Sequence, residues 1–241
     1  MEENSGQIYE RLRPELTAYL CRLVIRPAVA EEITQAAFVR FLESREDPAW
    51  QPESAKAWLF RVATNLAIDE RRKHSNWREN ALTELKIAAE ADAGFVASSQ
   101  ELASTPETGT IAREHLIACF ACVLRNLPEQ KAAALLLKEV HGFSLAESAS
   151  VLEATENQVK NWLQEARSYM DSKYRTTCAL ITKEGVCHQC VELDGFFRAD
   201  RGRPIEGGVD HLAERIELLK TGRSKPWGRW HRMMFGLLDR L

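Results

Sequence analysis

No run of apolar residues in this chain approaches the roughly eighteen needed to cross a bilayer, and no short apolar core of a secretory signal precedes the rest. Both absences lead to the expectation of a soluble, non-secreted, cytoplasmic protein. Cysteine is sparse: six in 241 residues, too few for a disulfide-stapled scaffold. Nor is there an excess of positive charge. With a net charge of −3, no global field draws the chain to nucleic acid, and any such affinity has to come from local patches. Paired carboxylates, a nucleophile–base set and a phosphate-binding glycine loop are also missing, so no enzyme is expected. A single CxxC near the C-terminus is the only reactive candidate.

What the chain does have is helical periodicity and good helix starts. Between Leu127 and Met170, Ser144 is followed three residues later by Glu147, and Thr155 three residues later by Gln158. Each pair is a capping box, in which a hydroxyl takes an orphan amide and the third side chain reaches back to the cap. They bracket a short helix, Leu145 to Leu152, a tight turn at Glu153 and Ala154, and a longer helix from about Glu156 to Tyr169. That spacing is a helix-turn-helix, although an ordinary helical hairpin in an all-α core has the same pattern.

Upstream, Leu12, Leu16, Tyr19, Leu20, Leu23 and Val24 line one face of a helix from Ile8 to Ile25, which Pro27 is expected to stop. A second helix, about Val29 to Leu42, turns Ile33, Ala37, Phe38 and Phe41 inward and Glu31, Glu32, Gln35 and Arg40 outward. Asp47-Pro48 and Gln51-Pro52 mark a loop. A third helix begins near Ser54, with Trp58, Leu59, Val62, Leu66 and Ile68 on its apolar side, and ends in Arg71-Arg72-Lys73. Those cations suit a helix C-terminus and equally suit phosphate contacts. Asn65, Asp69 and Arg72 share a polar face at spacings of four and three. Trp50, Trp58 and Trp77 offer flat surfaces for unstacked bases, or simply core.

These motifs carry a resemblance. AEEITQAAFVRFLE followed by KAWLFRVATNLAIDERRK resembles region 2 of the sigma-70 family of bacterial RNA polymerase sigma factors, in its extracytoplasmic-function (ECF) group. LRNLPEQKAAALLLKEVHGFSLAESASVLEATENQVKNWLQEAR resembles region 4, and the two stand in family order. The resemblance implies an all-α fold of two small helical domains: region 2 over residues 5–77 and region 4 over 111–175, joined by an acidic linker over 78–110. Residues 176–241 form a cysteine-containing C-terminal extension, expected to regulate the protein.

It also implies a non-catalytic subunit whose partners are RNA polymerase core, through the clamp helices of the largest subunit and the β flap, and promoter DNA. An anti-sigma partner is compatible with this. Glu31, Glu32, Gln35 and Phe38 would lie on the polymerase-binding helix. Trp58, Arg61, Asn65, Asp69, Arg71, Arg72 and Lys73 would serve the −10 element, helped by the loop from Glu46 to Ser54. Thr155, Asn157, Gln158, Lys160, Asn161, Gln164 and Arg167 would serve the −35 element from the major groove. Three positions depart from the family pattern. Glu153-Ala154 replaces a glycine-containing turn, Gln164-Glu165 stands where His-Arg is common, and Ser148 where an aliphatic is usual. The rival reading is a stand-alone helix-turn-helix regulator.

The remaining segments read differently. Residues 78–110 carry six acidic and two basic side chains, as a flexible tether would, with a marginal helix at Asn80 to Ala93. Cys119 and Cys122 are expected to be packing residues. In the extension, Cys178, Cys187 and Cys190 suit zinc or another soft metal, with His211, Asp194 or His231 as a fourth ligand. A thiol–disulfide switch and plain structural cysteine are both compatible with them as well. No cofactor is required by the rest of the chain. A short amphipathic helix is expected over Val209 to Lys220, and a basic, aromatic terminal segment at 224–241 suits a membrane surface, a partner groove or the protein's own domains.

Overall fold

A computed structural model describes residues 4–46, 54–73, 91–94, 97, 117, 119–177 and 211–225. Among these, every regular element is helical. The expectations for Trp50, Trp77, most of the 46–54 loop, nearly all of the 78–110 linker, Cys178, Cys187, Cys190, Asp194, His231, the terminal segment and the side chain of His211 lie outside the described residues.

Helix α1 (Ser5–Val24) starts at a capping box, with Asn4 Oδ1 accepting from Gln7 N at 2.9 Å and Gln7 Oε1 from Asn4 N at 3.0 Å. Its expected face is fully buried. Helix α1 ends just ahead of Pro27, as expected, with Arg26 extended. Pro27 occupies the first turn of α2 (Pro27–Ser44), where a missing amide costs nothing. The bend between the helices is made at Ile25, at φ 70°. A β-branched residue is strained there, and Ile25 is held in place by almost complete burial. Helix α3 (Ala55–Lys73) completes a three-helix unit. Tyr19 of α1 lies 2.8 Å from Thr64 Oγ1 of α3. Thr64 spends its own proton on Phe60 O at 2.6 Å, so Tyr19 is the donor. By the same logic Thr17 donates to Thr34, whose proton goes to Ala30 O.

After helical residues 119–124, α4 (Glu129–Leu135) runs into a π turn at Leu136–Val140, then α5 (Leu145–Val151) and α6 (Glu156–Thr177). Both expected capping boxes are present: Glu147 N to Ser144 Oγ is 3.1 Å and Gln158 N to Thr155 Oγ1 is 3.2 Å. Helix α6 runs two turns past its expected end, because Met170 and Tyr174 continue its buried stripe. Ser148 is completely buried, and its hydroxyl donates to Ser144 O at 2.8 Å. The turn after α5 is a Schellman cap, with Ala154 N on Ala149 O and Glu153 N on Ser150 O. Glu153 fills the left-handed position at φ 52° that glycine usually takes.

The two helical units share one core. The π turn carries His141 into it, where Nδ1 lies 3.1 Å from Glu15 Oε1. Lys56 of α3 holds the same oxygen at 3.0 Å. The His141 ring stands edge-on to Tyr19, and Phe60 packs on Phe143 at 5.0 Å between centroids. This double-sided burial also widens the expected stripe of α3. Leu59, Phe60, Ala63, Thr64, Ala67, Ile68 and Arg71 are buried, whereas Trp58, Val62 and Leu66 are only half-buried. Helix α7 (His211–Thr221) packs Leu212, Ile216 and Leu219 against α6 and the π turn. Cys122 is buried and Cys119 half-buried, in keeping with packing residues.

Burial alone would raise the pKa of Glu15, but hydrogen bonds from His141 and Lys56 outweigh it and hold the carboxyl down to about 2. His141 is pushed down to about 4, chiefly by burial and against the pull of Glu15. It is therefore neutral at pH 7, with its proton on Nδ1 and a bare Nε2. Two expectations follow from the turn and from this histidine. Replacing Glu153 by Gly relieves the left-handed strain and raises stability by about 1 kcal/mol in urea unfolding, whereas E153A gives no gain. As pH falls below 6.5, the unfolded chain gains a proton that folded His141 refuses until about pH 4. Stability therefore drops across that window by roughly 2–3 kcal/mol. Glu15 extends the loss from about pH 4.5 down to its folded value near 2. His141→Asn keeps a donor toward Glu15 and should flatten the slope between pH 6.5 and 4. An unchanged slope would refute the assignment.

Candidate nucleic-acid interface

Helix α3 presents Asn65, Asp69, Arg72 and Lys73 to solvent along one side, with Trp58 and Arg61 half-buried beside them. Asp69 and Arg72 lie 3.8 Å apart and Glu70 and Lys73 3.7 Å apart, both as loose pairs on the helix surface. Such exposed pairs contribute little and release their cations readily to a phosphate. The Trp58 ring leans edge-on against Phe41 at 5.7 Å, which fixes its plane.

Arg71 does not belong to this face. Only 3% of it is exposed, and its guanidinium donates inward to Leu127 O at 2.7 Å, Arg125 O at 3.0 Å and Leu23 O at 3.4 Å. The two ends it touches, α1 and helical residues 119–124, both carry orphan carbonyls and a negative dipole end. Burial pushes its pKa down to about 10, so it stays charged and acts as an internal staple. The Arg71-Arg72-Lys73 cluster thus divides into one structural cation and two surface cations.

On α6 the stripe Val159, Leu163, Ala166, Met170 and Tyr174 faces inward. Asn157, Lys160, Asn161 and Gln164 project outward and are exposed. Thr155 and Gln158 are exposed too, but their side chains are engaged with each other in the cap. Arg167 is paired with Glu139 of the π turn, and Glu165 with Lys131 of α4. The acid that replaces a family cation is therefore turned back onto the domain, and the free reading set is mainly amides plus Lys160.

On α2, Glu31, Glu32 and Gln35 are exposed as expected. Phe38 is not, being 5% exposed with its ring edge-on to Tyr9 at 4.7 Å and to Phe41 at 6.4 Å. It shapes the helix from within. The apolar residues that do reach solvent are Val39 and Leu42, at 53% and 49%. They follow Gln35 at spacings of four and three, so periodicity already placed them on the outer face.

The surface of α6 and the exposed side of α3 are chemically distinct and sit on separate helical units. Among the described residues, no three His, Cys, Asp or Glu side chains are grouped as a metal site would require, and no helix is long and apolar enough to cross a membrane.

Comparison with known proteins matches these two units separately. Residues 8–77 fit the family model described as Sigma-70 region 2, and residues 117–170 the one described as Sigma-70, region 4. Among curated relatives, ECF RNA polymerase sigma factor SigX of Bacillus subtilis is 26% identical over 66% of this chain and 78% of its own length. ECF RNA polymerase sigma factor SigL of Mycobacterium tuberculosis is 29% identical over 66% of this chain and 82% of its own. BldN of Streptomyces coelicolor, a sigma factor of the same group, is 26% identical over 64% of this chain, but only 54% of its own length is matched. With both regions present in order on the helices that carry the two polar faces, the chain belongs to the sigma-70 family of RNA polymerase sigma factors, in its ECF group.

Proposed function

We propose that this protein directs RNA polymerase core to specific promoters and helps to open them, with α3 serving the −10 element and α6 the −35 element. The observation that carries the reading is the ordered pair of regions, each offering a solvent-facing polar helix. A stand-alone helix-turn-helix regulator would not need the α1–α3 unit, so that alternative is not favoured.

In finer detail, Asn65, Asp69, Arg72 and Lys73 contact the −10 element, with Trp58 and Arg61 at its edge. Asn157, Lys160, Asn161 and Gln164 read the −35 element, Arg167 standing at the rim. Asn and Gln suit adenine edges, and Lys160 suits guanine or phosphate. The outer face of α2, with Glu31, Glu32, Gln35, Val39 and Leu42, docks on the clamp helices of the polymerase, and the region 4 unit on the β flap. Acting on that enzyme places the protein in the cytoplasm. No cofactor enters this reading, and the soft-metal site expected on Cys178, Cys187, Cys190 and His211 forms no part of it.

Run-off transcription with core polymerase tests the function: promoter-dependent initiation is the expected result, and its absence under all metal and redox conditions overturns it. Two substitutions at neighbouring positions test the residue roles. R72A/K73A leaves urea stability unchanged, weakens binding to a −10 single strand, and lowers the salt slope of that binding by about 1 to 1.5, at about 0.7 per lost phosphate contact on single-stranded DNA. R71A has the opposite signature, destabilising the fold by roughly 2–4 kcal/mol because three buried carbonyls lose their donor. Equal effects from the two on stability would remove the division of the cluster.

A further inference from the structure

Arg22 lies in the last turn of α1 and is 2% exposed. Its guanidinium donates to Ala18 O at 2.8 Å within its own helix. It also reaches across the molecule to Gly222 O at 2.8 Å, Lys225 O at 3.2 Å and Arg223 O at 3.5 Å. These are the carbonyls that follow α7, where a helix end needs donors. The same helix holds the other half of the molecule. Leu212, Ile216 and Leu219 are buried toward α6 and the π turn, and the Arg215 guanidinium stacks 4.2 Å above the Tyr174 ring of α6. One short element of the C-terminal extension therefore touches both promoter-reading units at once.

The units also meet directly, through Glu15 with His141 and Arg71 with the carbonyls of Arg125 and Leu127, and through Tyr19 and Phe60 on His141 and Phe60 on Phe143 where α3 lies against α4 and α5. In this state α3 and α6 belong to a single core. A compact chain of this length has a radius of gyration of about 18 Å, hence a diameter of about 45 Å. Elements centred about 25 base pairs apart are separated by about 85 Å of duplex, at about 3.4 Å per pair. The closed chain is too short to read both. The 45 residues between Lys73 and Cys119 span up to about 150 Å when extended, at about 3.3 Å each. Chain length therefore permits the units to part, and α7 opposes it.

We propose that α7 and residues 222–225 are an intramolecular latch, with Arg22 as its catch, which holds the two promoter-reading units together in the free protein and must release before both elements are engaged. The proposal rests on the sigma-factor reading for its consequence, but not for the latch itself. It differs from a cysteine-based switch in that the contact lies in α7 and α1, outside the CxxC segment.

The test uses the full chain with Ile216→Asp and Leu219→Asp, which places charge in the α7 contact and leaves α1–α3 and the proposed DNA-reading residues untouched. Small-angle scattering of the free protein should show a radius of gyration larger by several ångström than wild type. In run-off transcription at limiting protein, initiation should rise several-fold, while affinity for a duplex bearing a −35 element alone changes less than twofold. An unchanged radius of gyration overturns the latch. A larger radius with unchanged initiation overturns its inhibitory role. If neither protein initiates with core polymerase, the sigma-factor reading fails, yet scattering still decides the latch. Arg22→Lys keeps the charge and most of the stem but cannot span several carbonyls. It is the milder second variant where the double substitution impairs folding, and it should shift both readouts in the same direction.

Discussion

A helix that ends inside a protein leaves carbonyls without donors, and in this chain that constraint is met largely by arginines from elsewhere in the fold. Arg71 answers the ends of α1 and of helical residues 119–124, and Arg22 answers the end of α7. Burying a guanidinium is costly unless its hydrogens are engaged. Here the negative ends of the helices offset part of that cost, and both groups stay charged with pKa values held near 10 by burial. Each contact joins segments far apart in sequence. The helical units and the extension are therefore fixed by the same device, and removing Arg71 would leave carbonyls of two elements without their side-chain donor.

The joint between the units is also polar where it is deepest. Glu15 sits against Lys56 of its own unit and His141 of the other. These groups find partners in water as well, so the polar part of the joint adds little net resistance to opening. A joint made only of leucine and phenylalanine would expose its whole apolar area on opening. Here Tyr19 and Phe60 on one side and Phe143 on the other supply that grip within a shared apolar core, and the charged node sits inside it. The neutral state of His141 matters here: a protonated ring would sit buried close to both Arg22 and Lys56, which oppose its charging.

Local chemistry was legible in the sequence, and partners distant in the chain were not. Both capping boxes formed because each needs only four consecutive residues. The apolar faces of α1 and α2 followed from spacing alone. By contrast, Arg71, Arg72 and Lys73 are equivalent in any local pattern, and what buries the first is a pair of carbonyls more than fifty residues downstream. The stripe of α3 is wider than its spacing indicated because the helix is covered from two directions, a fact contained in neither its periodicity nor its composition. Phe38 was placed on the inner face by its spacing and on the docking face by resemblance, and packing decided for the former. Val39 and Leu42 were missed although their spacing with Gln35 was visible.

The departures at the recognition helix acquire a physical meaning from the pairs around it. Glu165 would repel a phosphate backbone if it stood free, but Lys131 holds it. Arg167 would attract one, but Glu139 holds it. Acid and cation are each neutralised on the domain, leaving Asn157, Asn161 and Gln164 with Lys160 as the exposed donors and acceptors. The cations of α3 are likewise loosely paired with Asp69 and Glu70. With a chain of net charge −3, electrostatic affinity for DNA has to come from local cations such as Arg72, Lys73 and Lys160. In the proposed −35 reading, selectivity rests on amide hydrogen bonds to base edges, which discriminate well but bind weakly alone. A reader built this way depends on being held at the DNA by a larger partner, which is the arrangement a polymerase subunit provides.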